Sequence, residues 1–353
     1  MSEAGKIIRD AIESRRDELA KAIVAQQWKI RPDLERRYGS TGFSKCLEDA
    51  NFHLRYLSEA IEASEPKLFV DYIAWAKVML ASRNIPTEDL TNHLEVVRDV
   101  IVDSLPGEMR ESVRSYIHSA IDYLHRPQAQ APSFPDYGEP LSEVAKSYLD
   151  ALLRYERHVA IRLILDAVNA GTSVKDVYCS VFERCQREIG RLWQLNMVTV
   201  AQEHYCTAST QLAMALLYPR IFAEKRPKIG TLVAACVPGE LHEIGPRLVC
   251  DLLEMEGWDT TYLGASVPIA ALLETVKARR PHVLAISASM TFHVNVVRHL
   301  ILALRGSNIA PLPQILVGGH VFRLAPELWR DVGADGFAKD SLETIELLKS
   351  WRQ

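Results

Sequence analysis

The segment Val237-Pro-Gly-Glu240-Leu-His242-Glu-Ile-Gly245 indicates how the second half of this chain folds. It follows residues 229–236, a run of small and β-branched residues that is typical of a buried parallel strand. Helical periodicity begins at Ile244 and continues to residue 256. His242 is therefore predicted at the carboxyl end of a first strand, where open α/β sheets bind their ligands. Gly245 has no Cβ, so a bulky planar ligand could approach the backbone there.

The composition of the chain restricts the classes of function. The 353 residues include 41 Lys and Arg against 45 Asp and Glu, so no overall basic charge predicts a nucleic-acid partner. The six cysteines lack Cys-x-x-Cys spacing, which favours a reduced, cytoplasmic location. The N-terminus lacks the apolar core of a signal peptide, and no run reaches about 18 apolar residues. We therefore expect no membrane partner.

The pattern along the chain predicts a multidomain α and α/β protein. Residues 1–125 read as helices throughout and are predicted to form an all-helical, globin-like domain. Its helices are expected at residues 5–28, 43–63, 67–83, 88–104 and 109–125. Residues 126–140 carry four prolines and are predicted to be a linker. Residues 141–225 return to helical periodicity, with breaks near residues 170–173 and 195–196, and predict a four-helix bundle. Residues 226–353 alternate strands with helices.

This last segment predicts a Rossmann-like, doubly wound parallel sheet. Its five expected strands lie at residues 229–236, 260–263, 283–287, 314–317 and 336–338. Helices are expected to begin near Glu243, Val267, Phe292, Val321 and Ser341.

Small residues are predicted to meet His242 at one edge of this sheet. Ser287 and Ser289 end the third strand, and Gly318 and Gly319 end the fourth. Together they would leave a slot that a packed core would normally fill. A ligand with a long tail could fill it while His242 coordinates a metal that the ligand carries. The alternative is a flavodoxin-like domain in which this histidine has no ligand role.

Residues 226–353 resemble the cobalamin-binding domain shared by methionine synthase, corrinoid proteins and cobalamin mutases. The resemblance rests on the Asp/Glu-x-His-x-x-Gly motif and on the small residues at the ends of two strands. It implies that His242 is the lower axial ligand of cobalt and that Glu240 holds its imidazole. Glu240 stands where Asp is commoner in the family, which lengthens the contact by one methylene. The expected cofactor contacts are Glu240, Leu241, His242, Gly245, Ser287, Ser289, Gly318 and Gly319.

A second motif lies in the helical bundle, where Trp193 is followed after nine residues by Glu203 and His204. Taken alone, these residues fit a core tryptophan and a solvent-facing pair. The spacing, however, is similar to the cap of cobalamin-dependent photoreceptors. That resemblance implies that Trp193 and Glu203 contact the adenosyl group of adenosylcobalamin, and that His204 can bind cobalt after light breaks the cobalt–carbon bond.

Catalytic interpretations are less favoured, so we expect a sensor and not an enzyme. Adenosylcobalamin mutases need a large substrate barrel, and residues 1–125 read as helices. Corrinoid methyl-carrier proteins of methyltransferase systems also have a helical cap and are the main alternative. Photoreceptors that repress transcription carry a winged helix-turn-helix, and no basic recognition helix is evident here. A non-photoactive cobalamin- or haem-binding sensor is a third alternative.

The N-terminal helices carry an aromatic face that could line a pocket: Phe69, Tyr72, Ile73, Trp75 and Ala76. His53 could bind haem, although ordinary core packing is the simpler interpretation. The order of domains along the whole chain is similar to photocobilins, which pair cobalamin with a bilin. The resemblance implies biliverdin near His53, Arg55, Tyr72, Trp75 and Arg83, with Cys46 as an optional attachment point.

These observations lead to one hypothesis for the whole chain. We expect a cytoplasmic light sensor that binds adenosylcobalamin and biliverdin. Because the chain ends soon after the last predicted helix, the signal is expected to leave through a homo-oligomer, with a dimer favoured, or through a separate partner.

Overall fold

The structure is a computed structural model that describes residues 3–127, 133–134, 140–222 and 227–352. Most of the predicted linker, residues 126–140, lies outside the described residues. The chain forms two compact units. One contains the N-terminal helices together with Ser289–Leu302 and His320–Ala334, and the other contains the second group of helices and the sheet.

The N-terminal segment consists of six helices in the described residues. Glu65 caps the fourth helix through a bond from the Lys67 amide, and Pro66 begins that helix, where a missing N–H has no cost. A single helix predicted over residues 5–28 is wrong, because the helix breaks at residues 14–15. The third helix begins ten residues before the predicted start at residue 43 and is kinked at Gly39, which has a φ of 60°. The helices are α1 Glu3–Glu13, α2 Arg16–Ile30, α3 Asp33–Glu62, α4 Pro66–Ala81, α5 Thr87–Ser104 and α6 Gly107–Leu124.

The second group of helices precedes the sheet. Thr199 caps its last helix by accepting a bond from the Gln202 amide, and Asn196 ends the preceding helix with a left-handed φ of 57°. Both predicted breaks therefore lie where the chain turns. The helices are α7 Ser142–Leu153, α8 Arg157–Asn169, α9 Val174–Val177, α10 Glu183–Gln194 and α11 Val200–Ile221, and a π turn, Tyr178–Phe182, joins α9 to α10.

The predicted five-stranded parallel sheet is confirmed. The strands are β1 Gly230–Cys236, β2 Trp258–Tyr262, β3 Val283–Ser287, β4 Gln314–Gly318 and β5 Gly336–Phe337. Their order in the sheet is β2-β1-β3-β4-β5, and every neighbouring pair is parallel. The order reverses between β1 and β3, which is where ligands bind in such sheets. The helices that alternate with the strands are α12 Ile244–Met255, α13 Ile269–Arg279, α14 Val294–Arg305, α15 His320–Leu324, α16 Leu328–Val332 and α17 Ser341–Ser350.

Two segments that follow β3 and β4 along the chain pack in the same unit as the N-terminal helices. Glu62 on α3 accepts a bond of 2.8 Å from the Asn295 side chain, and both residues are buried. Asp71 on α4 lies 2.9 Å from the His320 imidazole. Among the described helices, none is long and apolar enough to cross a bilayer.

Candidate functional site

The carboxyl ends of the three central strands bring the predicted site residues into register. Cys236 pairs with Ser287 across β1 and β3, and Ser287 pairs with Gly318 across β3 and β4. The bonds continue one residue further, because the Ala288 amide donates to the Gly318 carbonyl at 3.0 Å. Ser287 and Gly318 therefore lie side by side at this edge. Ser289 begins the segment that packs in the other unit.

The loop after β1 holds His242 in a defined orientation. One oxygen of Glu240, Oε1, lies 2.6 Å from His242 Nδ1 and accepts the His242 amide at 2.9 Å. Glu240 is fully buried, whereas 68% of the His242 side chain is exposed. The imidazole therefore projects outward from a buried anchor. Nδ1 points to the carboxylate, which leaves Nε2 on the outer side of the ring.

The loop is also fixed to the β2–α13 connection. The Ser266 amide donates to the Glu240 carbonyl at 3.0 Å, and the Ser266 hydroxyl accepts the Gly239 amide at 3.0 Å. Gly239 has a φ of 83°, a conformation that residues with a Cβ rarely adopt. These contacts fix the backbone that carries Glu240 and so fix the position of the imidazole.

Two carboxylates act on the electrostatics of His242. The hydrogen bond with Glu240 raises the pKa of His242 above its usual value, and the charge of Glu203 raises it further. Glu203 lies on α11 of the helical group, so the structure places it within electrostatic reach of the imidazole. His242 and Glu203, which were predicted to contact opposite faces of a cobalamin, are therefore close enough to interact electrostatically.

The surface beside His242 is open. A Cβ added to Gly245 would meet no atom within 4 Å, and the apolar side chain of Leu241 is 73% exposed. Gly319 is required for a different reason, because its φ is 105° and a Cβ there would lie 2.1 Å from the Ala288 carbonyl oxygen. An exposed leucine beside an exposed imidazole suits a ligand that is apolar around a metal.

The predicted cap residues lie at the junction of α10 and α11. Trp193 is only partly buried, so it is not an ordinary core tryptophan. Glu203 Oε2 lies 2.5 Å from His204 Nδ1, and 73% of the His204 side chain is exposed. Both predicted metal ligands, His242 and His204, therefore have Nδ1 held by a carboxylate. This is the usual arrangement around a metal-binding histidine.

One contact between the cap and the His242 loop could not be read from the sequence. Gln211 on α11 donates to Glu243 Oε1 at 2.8 Å, and Tyr262 donates to the Glu243 carbonyl at 2.8 Å. Glu243 is the residue that follows His242 and precedes α12. The second group of helices, the His242 loop and β2 are thus joined through one residue, Glu243.

A second candidate site lies in the N-terminal unit. The Tyr56 and Tyr72 rings stack at 3.7 Å between centroids, and Tyr72 is stacked on Trp75 at 6.4 Å. Phe292 meets the edge of Tyr56 at 5.4 Å, and the Arg55 guanidinium lies 3.7 Å from the centre of the Phe292 ring. These residues form an aromatic cluster with one cation beside it.

Arg83 and His53, which were also predicted to bind a bilin, do not belong to the exposed part of this aromatic cluster. Arg83 donates to the Met79 carbonyl and to Ser82 of its own helix end, eight residues beyond Trp75. His53 is buried and contacts the rings of Tyr72, at 5.5 Å, and His93, at 4.9 Å. Burial lowers the pKa of His53 well below its usual value, so the ring is neutral. The ring is therefore enclosed by other side chains, and the role of His53 in binding a bilin stays a prediction.

Cys46 is not activated for covalent attachment. Its Sγ lies 3.1 Å from Gln27 Oε1 and 3.7 Å from His93 Nδ1. Burial raises the pKa of the thiol to about 12, so the nucleophilic thiolate is not formed at neutral pH.

Two family models match the two parts of the second unit. A model of a B12 binding domain matches residues 230–346, and a second B12 binding domain model matches residues 144–218. Nearly the whole α/β segment therefore matches the B12 binding domain model. A model of phycobilisome proteins matches residues 6–124.

Individual relatives are corrinoid proteins. Trimethylamine corrinoid protein 1 of Methanosarcina mazei is 25% identical over 59% of this chain and 96% of that protein. Dimethylamine corrinoid protein 2 of the same organism is 30% identical over 35% of this chain and 56% of that protein. The structure of Methanosarcina barkeri monomethylamine corrinoid protein matches with a TM-score of 0.51 and 21% identity, over 60% of this chain and 99% of that one. The structural match shows a shared fold.

These matches change the balance between the sequence-based hypotheses. They support a corrinoid cofactor, and they fit the methyl-carrier alternative better than the light sensor that the Trp193 motif suggested. The B12-binding and corrinoid-protein matches do not support light sensing, and they indicate neither an adenosyl group nor biliverdin.

Proposed function

We propose that this chain is a corrinoid carrier that binds cobalamin with His242 as the lower axial ligand of cobalt. The observation that supports this proposal is the Glu240–His242 pair, in which a fully buried carboxylate lies 2.6 Å from Nδ1 of an exposed imidazole. A carboxylate partner fixes the tautomer and leaves Nε2 as the metal-binding atom.

The residues around this pair fit a corrinoid. Open space at Gly245 and the exposed side chain of Leu241 would lie against the ring, while the adjacent Ser287 and Gly318 would line the slot for its tail. When bound, the cofactor supplies the cobalt that receives and releases a methyl group. The chain supplies the ligand, the orientation of that ligand and the cover on the opposite face. In this function the protein carries a group for partner enzymes and does not itself hold their substrates.

The test is the absorption spectrum of cobalamin bound to the full chain and to His242→Ala. We expect the wild-type protein to displace the cofactor's own base and to show a histidine-ligated spectrum. His242→Ala should lose that spectrum and bind at least tenfold more weakly, because a metal ligand is removed. His158→Ala, which removes an exposed imidazole on α8, is the matched control. An unchanged spectrum and affinity in His242→Ala would exclude the axial role.

A second candidate function is a light sensor that binds adenosylcobalamin and biliverdin. The specific observation in its favour is the match of residues 6–124 to phycobilisome proteins. The match to trimethylamine corrinoid protein 1 covers 96% of that protein but only 59% of this chain. The rest of this chain therefore has no counterpart in that protein. In this function Trp193 and Glu203 contact the adenosyl group, and His204 replaces that group after illumination. A homodimer or a separate partner would receive the signal.

Biliverdin addition and illumination separate the two candidates. A bilin site predicts a new long-wavelength band that is lost in Tyr72→Ala, because the stacked ring is removed. A light sensor further predicts that green light converts the bound adenosylcobalamin spectrum to one with two histidine ligands in the wild type and not in His204→Ala. A methyl carrier predicts no band with biliverdin and a methylcobalamin form that partner methyltransferases discharge.

A further inference from the structure

A line of polar side chains runs from Glu203 into the core of the second group of helices. Thr207 Oγ1 lies 2.9 Å from Glu203 Oε1 and 3.3 Å from Gln186 Oε1. The Gln186 amide nitrogen lies 2.8 Å from Thr210 Oγ1, which lies 3.0 Å from the Tyr148 hydroxyl. Thr210 and Tyr148 are fully buried. Four side chains are therefore linked in series behind one carboxylate.

A line of this kind is not explained by packing alone. On a helix, the hydroxyl of Thr207 would ordinarily bond the backbone carbonyl one turn earlier. Here it bonds the side chain of Glu203, which is one turn earlier on the same helix. A buried polar group is costly unless it is satisfied, and an apolar residue could fill the position of the buried Thr210 in the helical core. These polar side chains thus form a hydrogen-bonded line that ends at the Glu203 carboxylate.

The number of hydrogens restricts the direction of these bonds. Thr207 has one hydroxyl hydrogen, and the charged and closer oxygen of Glu203 is the better acceptor. The bond between Thr207 and Gln186 then needs the Gln186 amide nitrogen as its donor, which turning the amide over provides because its two ends have nearly the same shape. The amide oxygen would then accept from Thr210, and Thr210 would accept from Tyr148. All four bonds would run toward the carboxylate, and bonds aligned in series strengthen one another.

We propose that Thr207 and Gln186 are positioning residues that hold the Glu203 carboxylate over the upper face of the corrin. This inference rests on the proposed function, because it assumes that a corrinoid lies between His242 and Glu203. The consequence is a fixed negative charge beside the upper axial position. An anionic upper ligand is disfavoured there relative to a neutral one, so the line of polar side chains sets which ligands the cobalt accepts.

The test compares an anion with a neutral ligand on the same bound cofactor. The full chain is loaded with hydroxocobalamin and titrated with azide and, separately, with imidazole, and both affinities are read from the absorption spectrum. Glu203→Gln should raise the ratio of azide to imidazole affinity by about tenfold, because the repelling charge is removed. Thr207→Val should raise the ratio by about threefold, because the carboxylate loses a donor and is no longer held in place. Thr207→Ser, which keeps the hydroxyl, should match the wild type.

Each of the other outcomes overturns the proposal. An unchanged ratio in Glu203→Gln would show that this carboxylate does not face the upper ligand. Equal changes in both affinities in Thr207→Val would indicate a general structural effect, and an equal shift in Thr207→Ser would remove the role of the hydroxyl. Failure of the wild-type protein to bind hydroxocobalamin, or an unchanged spectrum in His242→Ala, would instead contradict the proposed function itself.

Discussion

Replacing Glu240 tests whether a buried carboxylate controls the metal ligand. Glu240 is fully buried, and its Oε1 accepts both the imidazole Nδ1 and the backbone amide of His242. In Glu240→Gln, an amide oxygen can replace Oε1 in both bonds, so the ring keeps its orientation but loses the negative charge. In Glu240→Ala, both donors of His242 lose their partner, and the ring is free to rotate.

The expected magnitudes follow from these contacts. Partners that orient a metal-binding histidine are worth about 10- to 100-fold in metal affinity. Glu240→Gln should lie near the lower end, because it loses only the charge, and Glu240→Ala near the upper end. A 100-fold loss corresponds to about 2.7 kcal/mol. The histidine-ligated absorption spectrum should persist in Glu240→Gln and should weaken or disappear in Glu240→Ala.

The assay is a cobalamin titration followed by absorbance, with thermal unfolding of each variant measured in parallel. Glu254→Gln is the matched control, because Glu254 also accepts two bonds, from the amide and hydroxyl of Thr260, at the other end of α12. We expect the control to bind cobalamin like the wild type. Equal affinities in the wild type, Glu240→Gln and Glu240→Ala would refute the reasoning that the carboxylate orients the ligand.

Three further predictions concern stability. Asp251 is buried and accepts the Tyr178 hydroxyl at 2.9 Å, so Tyr178→Phe should destabilise the second unit by about 1 kcal/mol in denaturant unfolding, and Asp251→Ala by more, because it leaves a buried hydroxyl unpaired; equal stabilities would contradict this. Burial lowers the pKa of His93 to about 4 in the folded chain. The unfolded chain therefore protonates this histidine below about pH 6.5, whereas the folded chain protonates it only near pH 4. Stability of the N-terminal unit should thus fall by up to about 3 kcal/mol as pH drops through that window, and His93→Gln should flatten the pH dependence of amide exchange in α3. Asn295→Ala should reduce amide-exchange protection of α3 by about 1–3 kcal/mol, because buried Glu62 loses a donor, whereas protection like the wild type would show that the bond is not stabilising.

Much of the second unit could be predicted because its signals are local. The alternation of strands and helices fixed the parallel sheet, and the position of His242 after β1 followed from that alternation. The Glu240 contact is also local, since the two residues are two positions apart. Helix boundaries in the N-terminal segment were less accurate, because Gly39 kinks a helix whose periodicity continues on both sides.

Contacts between residues that are far apart in the sequence could not be predicted. Periodicity shows which face of a helix is apolar, but it does not show which residue that face meets. Gln211 meets Glu243, and Tyr56 stacks on Tyr72, only because of how the helices pack. The same reason explains why His53 proved to be surrounded by rings, and why Arg83 bonds its own helix end.

The sequence alone therefore predicted the sheet, the edge at which we propose that a ligand binds and the histidine at that edge. These depend on the period of the strands and on residues close together along the chain. Tertiary packing decided which distant carboxylate acts on that histidine. The charge of Glu203 raises the pKa of His242, and a line of polar side chains that ends at the buried Tyr148 hydroxyl lies behind Glu203, because helices distant in sequence pack together. Burial then strengthens the hydrogen bond between Tyr148 and Thr210, since water does not compete for it.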